Sequence, residues 1–191
     1  MKNYRLFGNA PYTVAVIHGG PGALGTMAAV ARRLAGMGFG VIEPLQTRNS
    51  VAALVDELHE TLLDMEPISL IGHSWGAWLA WIYAAAYPEQ VSKLLLVGSG
   101  PFEASYASHI DATRKSRLSA EQAVEMDEIF EALNNPDTQD KDKWMKRFIM
   151  LPNTDAYAPV VIETDTEDYI ETDGMAYGNV CDTFLQINPI L

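Results

Sequence analysis

Short apolar runs alternate with helix-spaced apolar positions through the first half of the chain. Residues 13–17, 40–42, 68–72 and 93–97 are dominated by β-branched and aliphatic side chains, the pattern of strands buried on both faces of a parallel sheet. Between the second and third runs, Val51, Leu54, Val55, Leu58, Leu62 and Met65 recur every three or four positions. That spacing predicts an amphipathic helix over 51–65, with Asn49 or Ser50 as its N-cap. A further helix is predicted over 74–87, with Trp78, Leu79, Ile82 and Tyr83 as its buried stripe. Pro88 ends it, because a proline ring disfavours helical backbone in the residue before it. Strands alternating with helices place the chain in the α/β class with a mostly parallel sheet.

The character changes after Gly98-Ser99-Gly100-Pro101. Residues 117–135 are charged and helix-prone, with an N-cap at Ser119 and acidic residues close behind, so added helices are expected there. Residues 158–169 read in two ways: Pro159 to Ile162 as a short strand, or the whole as an acidic, solvated segment. Residues 182–191 are largely apolar and carry no cap or charged tail, as if the chain were interrupted. The expected organisation is a core over 1–101 and a helical segment with a C-terminal tail over 102–191, forming one compact domain.

Composition narrows the class of partner. The chain has 191 residues and a formal net charge of −12, which would repel nucleic acid and anionic membranes alike. Cys181 is the single cysteine, so no internal disulfide is possible, and the opening residues lack the apolar core of a signal peptide. A cytoplasmic location is expected. No uninterrupted apolar run approaches the roughly 18 residues that span a bilayer. No histidine and cysteine cluster has metal-ligand spacing, so neither a metal nor an organic cofactor is expected.

The chemistry-bearing feature lies where the third strand meets the second helix, at Gly72-His73-Ser74-Trp75-Gly76. A bare G-x-S-x-G should occur by chance in about one chain in fifteen of this length, since glycine and serine each make up roughly 7% of residues. The strand before it and the helix after it make the match specific. On such a sharp turn a serine hydroxyl is presented to solvent, and the following N–H, that of Trp75, is aimed at a developing oxyanion. Ser74 is the candidate catalytic serine. Acyl transfer needs a second oxyanion donor. His18-Gly19-Gly20-Pro21-Gly22, at the end of the first core strand, can supply it from the Gly20 N–H, with His18 orienting the loop through side-chain hydrogen bonds. Gly19, Gly22, Gly72, His73 and Gly76 complete the two motifs; the bland alternative is that the glycines only make tight turns.

These two motifs, followed by Tyr87-Pro88-Glu89-Gln90-Val91 and the strand ending in Gly98-Ser99-Gly100-Pro101, resemble the α/β-hydrolase superfamily, nearest to its proline iminopeptidase-like branch. The resemblance covers about residues 13–101. It implies an α/β-hydrolase core, Ser74 as nucleophile, Gly20 and Trp75 as oxyanion hole, and helices after Pro101 as a cap over the substrate pocket. It also implies small peptides with an N-terminal proline, or other small esters and amides, as substrates. Trp144, Phe148, Tyr106 and Tyr157 could line the pocket, with simple packing as the duller reading.

In that superfamily the order is serine, acid, histidine. The last histidine here is His109; His73 stands beside the serine with its side chain expected to point away from it, and His59 is expected to be a solvated residue on the 51–65 helix. His109 is thus the residual candidate for the base, and Asp165, after residues 159–162, a faint candidate for the acid. The resemblance implies two further strands beyond Leu191, and hence a truncated core that is expected to be inactive or impaired by itself and whose 93–97 strand is an exposed sheet edge prone to self-association. The 43–48 turn, Glu43-Pro44-Leu45-Gln46-Thr47-Arg48, departs from the Asp-Arg-Gly type common in the family. Two competing readings remain. One is a non-catalytic binding protein that kept the core. The other is a dinucleotide site, because Gly20, Gly22 and Gly25 form G-x-G-x-x-G and Glu43 stands about 20 residues on, where such folds keep the acid that binds ribose.

Overall fold

Five strands build one sheet in the order β1-β3-β2-β4-β5, where β1 is Tyr4–Phe7, β2 Tyr12–Ile17, β3 Gly40–Pro44, β4 Ile68–His73 and β5 Val91–Val97. This computed structural model describes residues 3–20, 23–135, 137–141, 143, 144 and 147. The described residues divide into two compact units, the first up to Phe102 and the second from Glu103. Pairing is parallel throughout except between β1 and β3. Helices α1, Ala28–Gly36, α2, Val51–Leu62, and α3, Trp75–Ala86, fill the crossovers. The result is the mostly parallel α/β sheet that the hydrophobic pattern predicts.

β2 shows how both faces are covered. Its side chains alternate, so Ala15 and Ile17 enter a cluster with α2 and α3, while Val14 and Val16 join Met27 and Ala31 on the other face. β1 lies beyond the expected strands. Its four residues are too short for a periodic signal and include Arg5, yet Arg5 stands opposite Glu43 in the antiparallel register. Glu43 has no exposed surface, and Arg5 donates to its Oε2 from Nε at 2.8 Å and from the terminal guanidinium nitrogen at 2.5 Å. A buried carboxylate without that partner would be costly, so the ion pair specifies the register of this edge strand.

Helix boundaries follow local chemistry. Ser50 caps α2 by accepting from the Ala53 N–H, and α2 stops at Leu62, short of the expected Met65. In α3 the buried set is Trp75, Gly76, Ala77, Leu79, Ala80 and Tyr83, while Trp78 and Ile82 are half-buried. Leu79 and Tyr83 of the expected stripe are thus buried, with Trp78 and Ile82 packed against the same cluster, and the face widens to the small residues because Gly76, Ala77 and Ala80 allow the helix backbone to approach the sheet. A short 3-10 turn, Pro88–Gln90, leads into β5. Among the described residues β5 pairs only with β4, and Leu95, Leu96 and Val97 are 45%, 39% and 47% exposed.

The second unit contributes α4, Ala104–Lys115, and α5, Ala120–Asn134. Ser119 is the N-cap of α5, as the sequence suggests, and with Gln122 it forms a reciprocal capping box. Among the described residues no helix is long and apolar enough to cross a membrane. Asp165 and the 158–169 and 182–191 segments lie outside the described residues.

Candidate active site

Ser74 closes β4 and precedes α3 with φ 53° and ψ −119°, a positive-φ backbone that a serine adopts only under constraint. It holds the N-cap position of α3 but makes no capping hydrogen bond, because this backbone is not the extended conformation from which a serine caps a helix. Neighbouring contacts impose the turn. A Cβ on Gly72 would meet Gly76 O and come within 2.6 Å of Ala77 Cα; one on Gly76 would meet Ile17 O and lie 2.5 Å from His18 O. Only glycine fits at either place, since every obstructing atom is backbone. The Ser74 N–H donates to Val97 O at 2.9 Å, which ties the turn to the end of β5.

The glycine loop after β2 lies directly against this turn. A Cβ on Gly19 would stand 3.1 Å from Ser74 Cβ and 3.2 Å from His73 Nδ1, so the two motifs found far apart in the sequence are neighbours. Gly20 follows with φ 76°. Gly22 lies outside the described residues. Trp75 is the first residue of α3, where helical N–H groups have no intrahelical acceptor.

His18 is fully buried and does orient the loop through hydrogen bonds. Its Nε2 accepts from the Gln46 N–H at 3.3 Å, which can only donate, so the proton sits on Nδ1 and is donated to Gly19 O at 2.9 Å. Burial disfavours the charged imidazolium and lowers its pKa to about 4. The Gly19 hydrogen bond and Glu57 pull the other way and Arg5 adds to the lowering. A trans peptide is planar, with its C=O and N–H on opposite sides. By fixing Gly19 O, His18 also fixes where the Gly20 N–H points.

Other candidates are placed differently. His59 is half-buried, not a freely solvated residue: its ring stacks on Tyr87 with centroids 3.8 Å apart, and Nδ1 lies 3.4 Å from the Tyr83 hydroxyl. Aromatic residues of α3 and just beyond it cover what its position on α2 left open. His73 is exposed beside Ser74, and His109 is exposed on α4. Among the described residues no histidine nitrogen is hydrogen-bonded to Ser74 Oγ. Tyr106 is 61% exposed, and Trp144 carries Arg147 over its ring at 5.0 Å; Phe148 and Tyr157 lie outside the described residues.

The dinucleotide reading is overturned. Glu43 is sealed from solvent and engaged by Arg5 and by the Met27 N–H at 3.2 Å, so it does not face a ribose site. Gly25 O accepts from Arg5 at 3.0 Å, and α1 begins only at Ala28, so Gly20 and Gly25 do not open directly onto a helix N-terminus as a phosphate-binding fingerprint requires. Among the described residues no cluster of side chains could hold a metal ion.

Sequence reasoning missed Gln46 as a member of the site. Its side-chain Oε1 accepts from the Trp75 indole N–H at 2.8 Å, and its Nε2 donates to His18 O at 3.1 Å. The only hint was that the 43–48 turn departs from the family pattern.

A family model described as the alpha/beta hydrolase fold matches residues 12–148. The chain is 34% identical over 119 residues to 2-hydroxy-6-oxononadienedioate/2-hydroxy-6-oxononatrienedioate hydrolase 2 of Pseudomonas putida, covering 54% of this chain and 42% of that protein. It is 34% identical over 64 residues to human (Homo sapiens) epoxide hydrolase 4, covering 31% of this chain and 18% of that one. The chain thus spans less than half the length of these two relatives. Among solved structures, VinJ superposes with a TM-score of 0.64 at 21% identity, over 97% of this chain and 63% of VinJ. The lip1 protein of Acinetobacter baumannii AYE superposes with a TM-score of 0.56 at 19% identity, over 98% and 62% of the two chains. At such identities the structures speak for the fold alone.

Proposed function

The chain belongs to the α/β-hydrolase fold family, and on that premise we propose that it carries the nucleophile and oxyanion donors of a serine hydrolase acting on small esters, amides or peptides. The observation that carries this reading is the strained Ser74 backbone with Gly19 packed against it. Strain of this kind costs about 1–3 kcal/mol and persists where surrounding structure imposes it. In the proposed reaction Ser74 Oγ attacks the substrate carbonyl carbon while its proton passes to a base. The carbonyl oxygen becomes an oxyanion held by the Gly20 and Trp75 N–H groups. Collapse expels the alcohol or amine with a proton, and water then cleaves the acyl-enzyme to a carboxylic acid and free serine. Two donors of this kind are worth several kcal/mol of barrier, at about 2.7–4 kcal/mol each.

Resemblance to the proline iminopeptidase-like branch makes peptides with an N-terminal proline one substrate class to test. The dienedioate named for the Pseudomonas putida relative is another; it has no ester or amide bond, so attack at its ketone would break a carbon–carbon bond, with a protonated carbon fragment leaving in place of the alcohol or amine. No histidine nitrogen is bonded to Ser74 among the described residues, and this favours a second reading, a binding protein that has kept the hydrolase core. Turnover of a panel of p-nitrophenyl esters, proline-initiated dipeptides and the dienedioate separates the two. Hydrolysis by the chain that is abolished by Ser74→Ala supports the serine mechanism. Saturable binding of a panel member without turnover supports the binding protein.

A further inference from the structure

We infer that Gln46 is a positioning residue that clamps the Gly19-Gly20 loop to the start of α3 and so sets the relative placement of the Gly20 and Trp75 N–H groups. This rests on the serine-hydrolase reading. Three hydrogen bonds meet at one residue: the Gln46 N–H to His18 Nε2, its side-chain Nε2 to His18 O, and its Oε1 from the Trp75 indole. The amide orientation is determined by its neighbours. An indole N–H only donates and a carbonyl only accepts, so Oε1 must face Trp75 and Nε2 must face His18 O. Reversing the amide would oppose donor to donor and acceptor to acceptor.

Together the three contacts bear on both donors. His18 holds Gly19 O, and the planar peptide passes that orientation to the Gly20 N–H. His18 O lies close enough to Gly76 to exclude a Cβ there, so the same carbonyl that Gln46 grips abuts the first turn of α3. The Trp75 indole is held from the same amide, and its backbone N–H is the donor at the start of that turn. Gln46 is itself anchored. Buried Glu57 accepts from the Thr47 N–H at 2.9 Å and from the Thr47 hydroxyl, and the Leu45 N–H donates to Asn3 O at 2.7 Å. A clamp on an anchored loop is what pre-organisation of an oxyanion site requires, because misplacement by about 1 Å can cost roughly 100-fold in rate.

The test compares the chain with Gln46→Met, which keeps the volume and removes both polar contacts of the side chain, and Trp75→Phe, which removes the indole donor but leaves the backbone N–H. The first readout is the rate of covalent labelling by a fluorophosphonate, resolved into its maximal rate and its half-saturating concentration. Each variant should label about 10-fold to 100-fold more slowly at saturation with little change in half-saturation, and the double variant should be no slower than the worse single one. A variant that merely loosens the fold would lower the urea midpoint without moving the maximal rate. Equal maximal rates in all four proteins would overturn the clamp while leaving the nucleophile standing. No labelling of either the unaltered chain or a longer form that continues past residue 191 would overturn the serine reading instead. The second readout decides the clamp in either case: amide hydrogen exchange at Gly20 and Trp75 should accelerate in both variants, and unchanged exchange at both amides would overturn it.

Discussion

Acidification puts a proton on the one fully buried imidazole, and the consequence for stability follows from its environment. His18 has its pKa lowered by burial from 6.5 to about 4. In the unfolded chain the ring takes up a proton below about pH 6.5, whereas in the folded chain it resists until about pH 4. The stabilising contribution is therefore complete above about pH 6.5 and is lost as pH falls through that window. Each pH unit removes about 1.4 kcal/mol, so the full loss approaches about 3 kcal/mol at pH 4. The structural cause is explicit: protonation would set an Nε2–H against the Gln46 N–H across 3.3 Å. The assay is urea unfolding between about pH 7.5 and about pH 4.5 for the chain and for His18→Gln, whose other titrating groups are the same. The chain should lose about 2–3 kcal/mol more than the variant over that range. Parallel stability curves would refute the reasoning.

Three further outcomes follow. Ser74→Gly should be more stable than Ser74→Ala by about 1 kcal/mol in urea unfolding, because both lose the hydroxyl but only glycine relaxes at φ 53°; a less stable glycine variant would contradict the strained turn. Arg5→Met should cost about 3–5 kcal/mol by leaving Glu43 buried and charged, and adding Glu43→Gln should recover part of that loss in the same measurement. The exposed Leu95, Leu96 and Val97 on β5 predict association with a second copy, read by sedimentation velocity as a concentration-dependent increase in size that Leu95→Lys diminishes.

Much of the architecture is legible in local patterns. β2 to β5 announce themselves as apolar runs, and Ser50 and Ser119 act as the caps their positions suggest. The serine turn is equally local, since its geometry is imposed by glycines two residues to either side. What stays hidden depends on partners remote in sequence. Glu43 at a strand end reads as a ligand-binding acid until Arg5 is seen across the antiparallel pair. His59 reads as solvated until Tyr83 and Tyr87 cover it. Gln46 has no periodic or motif signal, because its hydrogen bonds reach His18 and Trp75, each nearly thirty positions away. The buried face of α3 is legible only in part: Leu79 and Tyr83 are buried and Trp78 and Ile82 pack half-buried against the same cluster, whereas Gly76, Ala77 and Ala80 give no hydrophobic signal and are buried because helix and sheet lie close.

The central claim is that Ser74 is a reactive nucleophile. Intact-mass measurement after exposure to a fluorophosphonate, followed by peptide mapping of the adduct, tests it most directly. The expected result is a single adduct, located on Ser74 and absent from Ser74→Ala. An adduct on any other residue, or none on either the chain or a longer form that continues past residue 191, would contradict it.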